Sequence, residues 1–186
     1  FARYAADFAE RYPWVQLYTP VNEMFICAVF SAHYGWWNEQ MTTDQSFVTA
    51  LKHIVKANVL AMQEILKRRP DAIFIQSESS EYFHADSPSA IAPAEIMNAK
   101  RFLSLDLNYG RRVDSEMYQF LMDNGMTRAE YEYQTSLFDY LMGLAKLEYA
   151  MGTSPESETN LRAKPRTVEN SSANLPAGDA KTLLQE

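Results

Sequence analysis

Two short apolar segments, separated by a long amphipathic stretch, limit what this chain can fold into more than any other feature. The first, Val15-Gln16-Leu17-Tyr18-Thr19-Pro20-Val21, is β-rich, alternates little, and delivers Asn22-Glu23 just past its end. Such a run suits a parallel strand covered on both faces. Pro20 has no N–H to give to a ladder, so regular pairing should end or bulge beside it. The second segment, Ala72-Ile73-Phe74-Ile75-Gln76, has the same character and runs into Ser77-Glu78-Ser79-Ser80-Glu81-Tyr82-Phe83-His84. Between the two, Phe47, Val48, Leu51, Ile54, Val55, Val59, Met62, Ile65 and Leu66 fall at helical spacings and form one wide apolar face. Thr43 or Asp44 can cap this helix, Lys67, Arg68 and Arg69 complement its carboxyl end, and Pro70 forbids continuation. Another helical pattern, Phe1 to Arg11, precedes the first strand and stops at Pro13. Helix, strand, helix, strand predicts an α/β protein with a parallel sheet. In a parallel α/β barrel the carboxyl ends of the strands form the mouth, which is where Glu23 and Glu78 fall.

The stretch Tyr18-Thr19-Pro20-Val21-Asn22-Glu23 resembles the fourth-strand motif of glycoside hydrolase family 1, the β-glucosidase-like enzymes. The resemblance implies part of a retaining (β/α)8 TIM barrel, incomplete, and covers about the strand-four to strand-six portion. It implies Glu23 as general acid/base and Asn22 as the contact to the sugar hydroxyl beside the anomeric carbon. Family members usually carry a proline after the Glu, where this chain has Met24. The family's nucleophilic Glu comes from strand seven, and no such strand is present here. The chain alone is therefore expected to be inactive, a fragment of a retaining hydrolase of O-glycosidic bonds. A general acid must hold its proton near neutrality, which burial or a neighbouring anion secures.

Other residues at the expected mouth fit a sugar. Neighbouring strands lie about 4.8 Å apart, so Glu78 could approach Glu23. Carboxyls about 5–5.5 Å apart suit a retaining mechanism and about 6.5–9.5 Å an inverting one. Glu78 and Tyr82 are candidate sugar-site lining. Tyr34-Gly35-Trp36-Trp37 is expected in the loop between strand and helix on the same mouth, with Trp37 as a stacking surface for a sugar ring. His33 and His53 read as structural and surface groups respectively.

Composition sets the outer limits. The chain has 186 residues, 47% hydrophobic and 13% aromatic, enough to bury a core. It is short for a barrel of about 250 residues and starts within a helical pattern, so it reads as part of one. A net charge of −7 argues against a nucleic-acid surface. The single cysteine, Cys27, lies in the apolar run Met24–Phe30 and reads as a small buried hydrophobe with no disulfide. The lack of any disulfide within the chain fits a cytoplasmic setting; no apolar run approaches membrane-spanning length and no signal-like start is visible. No metal-ligand spacing and no Gly-rich phosphate loop occurs, so neither metal nor cofactor is expected.

Beyond residue 90 the pattern is helical. Pro93 suits a first helical position of a helix from Ala94 to Leu105, with Ile96, Phe102 and Leu103 facing inward. A helix over Ser115 to Asn124 should close at Gly125. Thr127-Arg128-Ala129-Glu130 is a capping box opening a helix to about Leu141. Leu144 to Ala150 should lead into the next strand. All 24 aromatic residues lie at or before Tyr149, and the last 34 residues hold five of Leu, Ile, Val or Met. The expected organisation is a partial barrel domain over 1–152 and a polar, disordered C-terminal tail over 153–186. Two readings besides a glycosidase fragment remain open: a non-catalytic carbohydrate-binding relic, and a half-barrel that self-associates or joins a partner chain through its open edge.

Overall fold

The computed structural model describes residues 1–137, and the tail, the 152 boundary and the segment leading to the expected next strand lie outside the described residues. The order is α1 (Ala2–Arg11), β1 (Leu17–Tyr18), α2 (Met24–Ala32), α3 (Asp44–Leu66), β2 (Ile73–Phe74), α4 (Ile91–Lys100), α5 (Leu103–Asn108) and α6 (Ser115–Asp123). A 3-10 turn, Pro88–Ala90, precedes α4, and the chain is helical again over 128–137. No helix among the described residues is long and apolar enough to cross a membrane.

The two strands pair in parallel, Leu17 with Ile73 and Tyr18 with Phe74, as the apolar runs predict. The sheet is much smaller than a barrel: two residues per strand, two strands among the described residues, in an α-rich segment. Hydrogen bonds extend the pairing on either side. Ile73 N–H donates to Gln16 O at 2.8 Å and Ile75 N–H to Tyr18 O at 2.9 Å. The ladder ends at Pro20, as a residue without an N–H requires. Coverage on both faces is not found. Tyr18 is buried with Ala5, Ala9, Ala61 and Ile65 beneath α1 and α3, whereas Leu17 and Ile73 on the other face are 59% and 51% exposed. Both faces of a parallel sheet are covered only where elements exist to cover them, and the described helices lie on one side.

Helix α3 is the central element. Thr43 caps it: its hydroxyl accepts from Ser46 N–H at 3.0 Å, and Ser46 Oγ accepts from Thr43 N–H at 3.1 Å. Its apolar face divides its packing. Ala61 and Ile65 meet α1 and Tyr18, while Phe47, Val48, Leu51, Val55 and Val59 meet α2, α5 and α6 in the main core. At its carboxyl end Lys67 and Arg68 pair with Glu64, and Arg69 pairs with Asp71 at 2.8 Å.

Two expectations shift. Met24–Ala32 is a helix, although it is apolar nearly all round and carries no periodic signal. The expected Ala94–Leu105 helix begins earlier, at Ile91, so Pro93 sits in the first turn, where its missing N–H costs nothing. It also breaks at Arg101–Phe102 before α5. The break puts Leu103 in the core and leaves Phe102 exposed beneath the Arg101 guanidinium at 4.4 Å. The Thr127–Glu130 capping box forms as expected, with Thr127 N–H donating to Glu130 Oε2 at 2.8 Å and Glu130 N–H to Thr127 Oγ1 at 3.2 Å.

One buried polar cluster ties these elements together. Asn58, fully buried on α3, accepts from Val21 N–H at 3.0 Å. Its amide donates to Asn108 Oδ1 at 2.8 Å and to Gln76 Oε1 at 3.2 Å. Gln76 in turn donates to Val21 O at 3.2 Å. The ends of β1 and β2 are thereby joined to α3 and α5 at one point. Asn58→Ala strands the Val21 N–H and the Asn108 carbonyl oxygen in the interior. We expect a loss of about 2–4 kcal/mol in urea unfolding. A loss under about 0.5 kcal/mol, as for a surface change, would show that the cluster does not organise the strand ends.

Candidate active site

Immediately beyond this cluster the chain turns sharply. Glu23 has φ 47° and ψ 60°, the left-handed region that a residue with a Cβ seldom enters. Such a conformation persists where surrounding bonds over-determine it. Here the Glu23 N–H donates to Ser77 O at 3.0 Å, and the Glu23 carbonyl accepts from Cys27 N–H at 2.9 Å. Glu23 is thus held between the end of the second strand segment and the first turn of α2, whose N-cap it is. Its side chain is half-buried, and Asn22 beside it is exposed. Met24 follows at the first helical position, a place that accepts proline, and its side chain is fully buried in the core.

The structure brings Glu78 to the same place. Its carboxylate accepts from Phe25 N–H, with oxygens at 3.2 and 3.4 Å, so it closes the amino end of α2. Burial pushes the Glu78 carboxyl above the usual carboxylate range, and the charge of Glu23 adds to this. The Ser104 side chain and the backbone N–H groups of Phe25 and Met24 pull it partly back. Glu78 is therefore biased toward its protonated form, by burial first and by the charge of Glu23 least. Burial pushes up the thiol of Cys27, half-buried on α2 and not fully enclosed, and the charges of Glu78 and Glu23 add to this. An exposed amide and a backbone-locked carboxyl at a strand end can bind a hydroxyl-rich ligand and exchange a proton with it.

The remaining candidates stand elsewhere. Tyr82 is exposed on the loop after β2, its ring 4.7 Å from His84 and 5.7 Å from the Arg101 guanidinium. Trp37 is not in a loop directly after the strand: α2 intervenes and carries it to the opposite helix end. His33 packs between Tyr34 and Phe47, with ring centroids 5.3 and 5.9 Å away, and burial lowers its pKa. His53 is exposed on α3. No group of three His, Cys, Asp or Glu side chains is placed to hold a metal ion among the described residues. Sequence reasoning missed Asn58, Gln76 and Asn108, which hold the strand ends. Asn58 was detectable as a polar residue inside the apolar face of α3, seven positions after Leu51 and three after Val55.

The raised Glu78 carboxyl makes a prediction with a definite sign. A carboxyl bound more tightly to its proton when folded destabilises the fold above its folded pKa, and this penalty vanishes as pH falls into the ordinary glutamate range. Glu78→Gln keeps an acceptor for the Phe25 N–H without the charge. It should be more stable than the parent at neutral pH, with the difference shrinking toward zero near pH 4.5 in denaturant titrations. An advantage that instead grows on acidification would contradict this environment.

No protein-family model matches the sequence, and no curated protein matches it at the sequence level. Solved structures do match in fold. A family 1 β-glucosidase from Thermotoga maritima superposes with a TM-score of 0.63 at 16% identity, over 74% of this chain and 32% of its own. The β-glucosidase from the same organism in complex with galacto-hydroximolactam gives 0.62 at 16% identity, over 74% and 32%. Its complex with castanospermine gives 0.63 at 16% identity, again over 74% and 32%. This chain therefore spans about a third of the length of these glycosidases and shares the fold of that third.

Proposed function

We propose that this chain is a portion of a retaining β-glucosidase-like glycoside hydrolase in which Glu23 is the general acid/base. The observation that carries the reading is the strained, doubly anchored Glu23 at the end of a parallel strand, in a fold shared with β-glucosidases. Strain of this kind is held where the position of a side chain matters. Asn22, exposed beside it, is the contact to the sugar hydroxyl next to the reacting carbon. Glu78 closes the amino end of α2 beside it, its own carboxyl raised by burial. A retaining hydrolase also needs a nucleophilic carboxylate on the other side of the glycosidic bond, which in the family's pattern comes from strand seven, and no such strand occurs among the described residues. The purified chain should release no nitrophenol from an aryl β-glucoside, yet bind the glucoside weakly, with several-fold loss on Asn22→Ala. Turnover that disappears in Glu23→Gln would overturn the incompleteness of the site; glucoside binding indifferent to Asn22 would overturn its location.

A second reading rests on the uncovered sheet face. Leu17, Ile73 and Ile75 present exposed aliphatic side chains from adjacent parallel strands. A sheet face and edge of this kind favour pairing with further strands. Under this reading the chain is a half-barrel completed by association. Sedimentation should then show a discrete complex that Leu17→Lys and Ile73→Lys disperse. A monomer at high concentration, unaffected by these changes, counts against it.

A further inference from the structure

We infer that the junction of α2, α3 and α4 is a proton-operated latch, in which a proton on His33 displaces Lys100 from Asp44 and frees α4 together with the loop after β2. The inference does not rest on the glycosidase reading. It begins with what holds α4. Of the ten residues from Ile91 to Lys100, Lys100 is the one that is buried, while Met97 and Ala99 are half-buried. A surface helix usually docks through an apolar stripe, but this one is fastened at its end by an ammonium group. Lys100 Nζ donates to Asp44 Oδ1 at 2.8 Å and lies 4.2 Å from the centre of the Phe120 ring on α6. A charge taken out of water is tolerated where it is paired, so the docking of α4 depends on this carboxylate.

The same oxygen has a second claimant. His33, the C-cap of α2, places Nδ1 3.5 Å from Asp44 Oδ1, longer than a good hydrogen bond. That nitrogen is enclosed and has no hydrogen-bond partner among the described residues. Two charges face the ring, Asp44 from α3 and Lys100 from α4. Glu81, on the loop after β2, acts on the neighbouring Tyr34 hydroxyl, and α6 presents the Phe120 ring. Burial and the Lys100 charge lower the His33 pKa, and Asp44 opposes them.

With His33 neutral, one cation and one anion balance at the junction. A proton on His33 puts two cations on one carboxylate in a place partly shielded from water, where like charges are costly. His33 is held between the Tyr34 and Phe47 rings, whereas Lys100 sits on a flexible four-carbon stem. The ammonium therefore gives way and the imidazolium takes its place. Motion of α4 passes directly to the loop. Asn98, two residues before Lys100, accepts from Phe83 N–H on Oδ1 and donates from Nδ2 to Phe83 O, both at 2.9 Å. That loop also carries Glu78 onto the α2 backbone. A histidine whose folded pKa is lowered contributes stability above its unfolded value of about 6.5, and the contribution is lost as pH falls through the folded value. The latch is thus closed at neutral pH and opens on acidification.

Hydrogen exchange of the intact chain, read by mass spectrometry from about pH 7.5 down to about pH 4.5 beside His33→Gln, tests this. Glutamine keeps a polar group at the junction and takes no proton. The two proteins should exchange alike at neutral pH. On acidification, segments 81–85 and 91–101 of the parent should become about threefold or more faster than in His33→Gln, with the centre of α3 unchanged. An NMR titration of the parent, which needs no variant, should give His33 a midpoint below the free-histidine value of about 6.5, and the acceleration should follow that midpoint. Lys100→Met, which removes the competing cation, should raise it. A His33 midpoint at or above the free value, acid-driven exchange that is equal in the parent and His33→Gln, or acceleration spread evenly through α3 would overturn the inference.

Discussion

The buried amide of Asn58 is the contact on which the arrangement of this chain depends. It accepts from Val21 N–H and donates to Asn108 and Gln76, and Gln76 returns to Val21 O. Two strands that share only two paired residues each would be poorly registered without it, because a short parallel ladder offers few backbone bonds. Unpaired polar groups in an apolar interior are costly, so the bonds of the Asn58 amide hold in a narrow range of geometries, while the Asn108 side-chain nitrogen has no partner among the described residues. That selectivity is what an aliphatic residue at position 58 could not supply, however well it packed.

From this point the site follows by short steps. Val21 is pinned, so Asn22 and Glu23 emerge at a defined place. Gln76 is pinned, so Ser77 O is in position for the Glu23 N–H, and Glu78 reaches the amino end of α2. The helix end favours negative charge while burial and Glu23 disfavour it at Glu78, and the balance leaves the Glu78 carboxyl raised. The Glu78 side chain is thus committed to the α2 backbone, while that of Glu23 makes no capping bond to the helix it begins.

Much of this was legible in the chain. The periodicity of α3, its Thr43 cap, the α1 pattern and both apolar strands are local signals, and each is found where the spacing puts it. The position of Glu23 at a strand end follows from the same reasoning. What was not legible depends on tertiary context. Helix α2 is apolar nearly all round although Ile26, Cys27, Phe30 and Ser31 are only half-buried, and a uniform pattern has no period to read. The break between α4 and α5 carries neither glycine nor proline, so nothing local marked Phe102 as exposed and Leu103 as core. The turning of Glu78 onto the α2 backbone joins residues more than fifty positions apart. The strand faces predicted to be covered are open at Leu17 and Ile73, since an apolar run does not state which elements are present to cover its far side.

The left-handed backbone at Glu23 has a consequence for how such a chain changes over time. Every residue with a β-carbon at this position carries a conformational penalty of about 1–2 kcal/mol, and glycine would carry almost none. Random substitution in a chain with no use for the carboxylate is therefore biased toward glycine, which also serves acceptably as an N-cap. A residue other than glycine at position 23 is thus one that backbone stability alone does not favour.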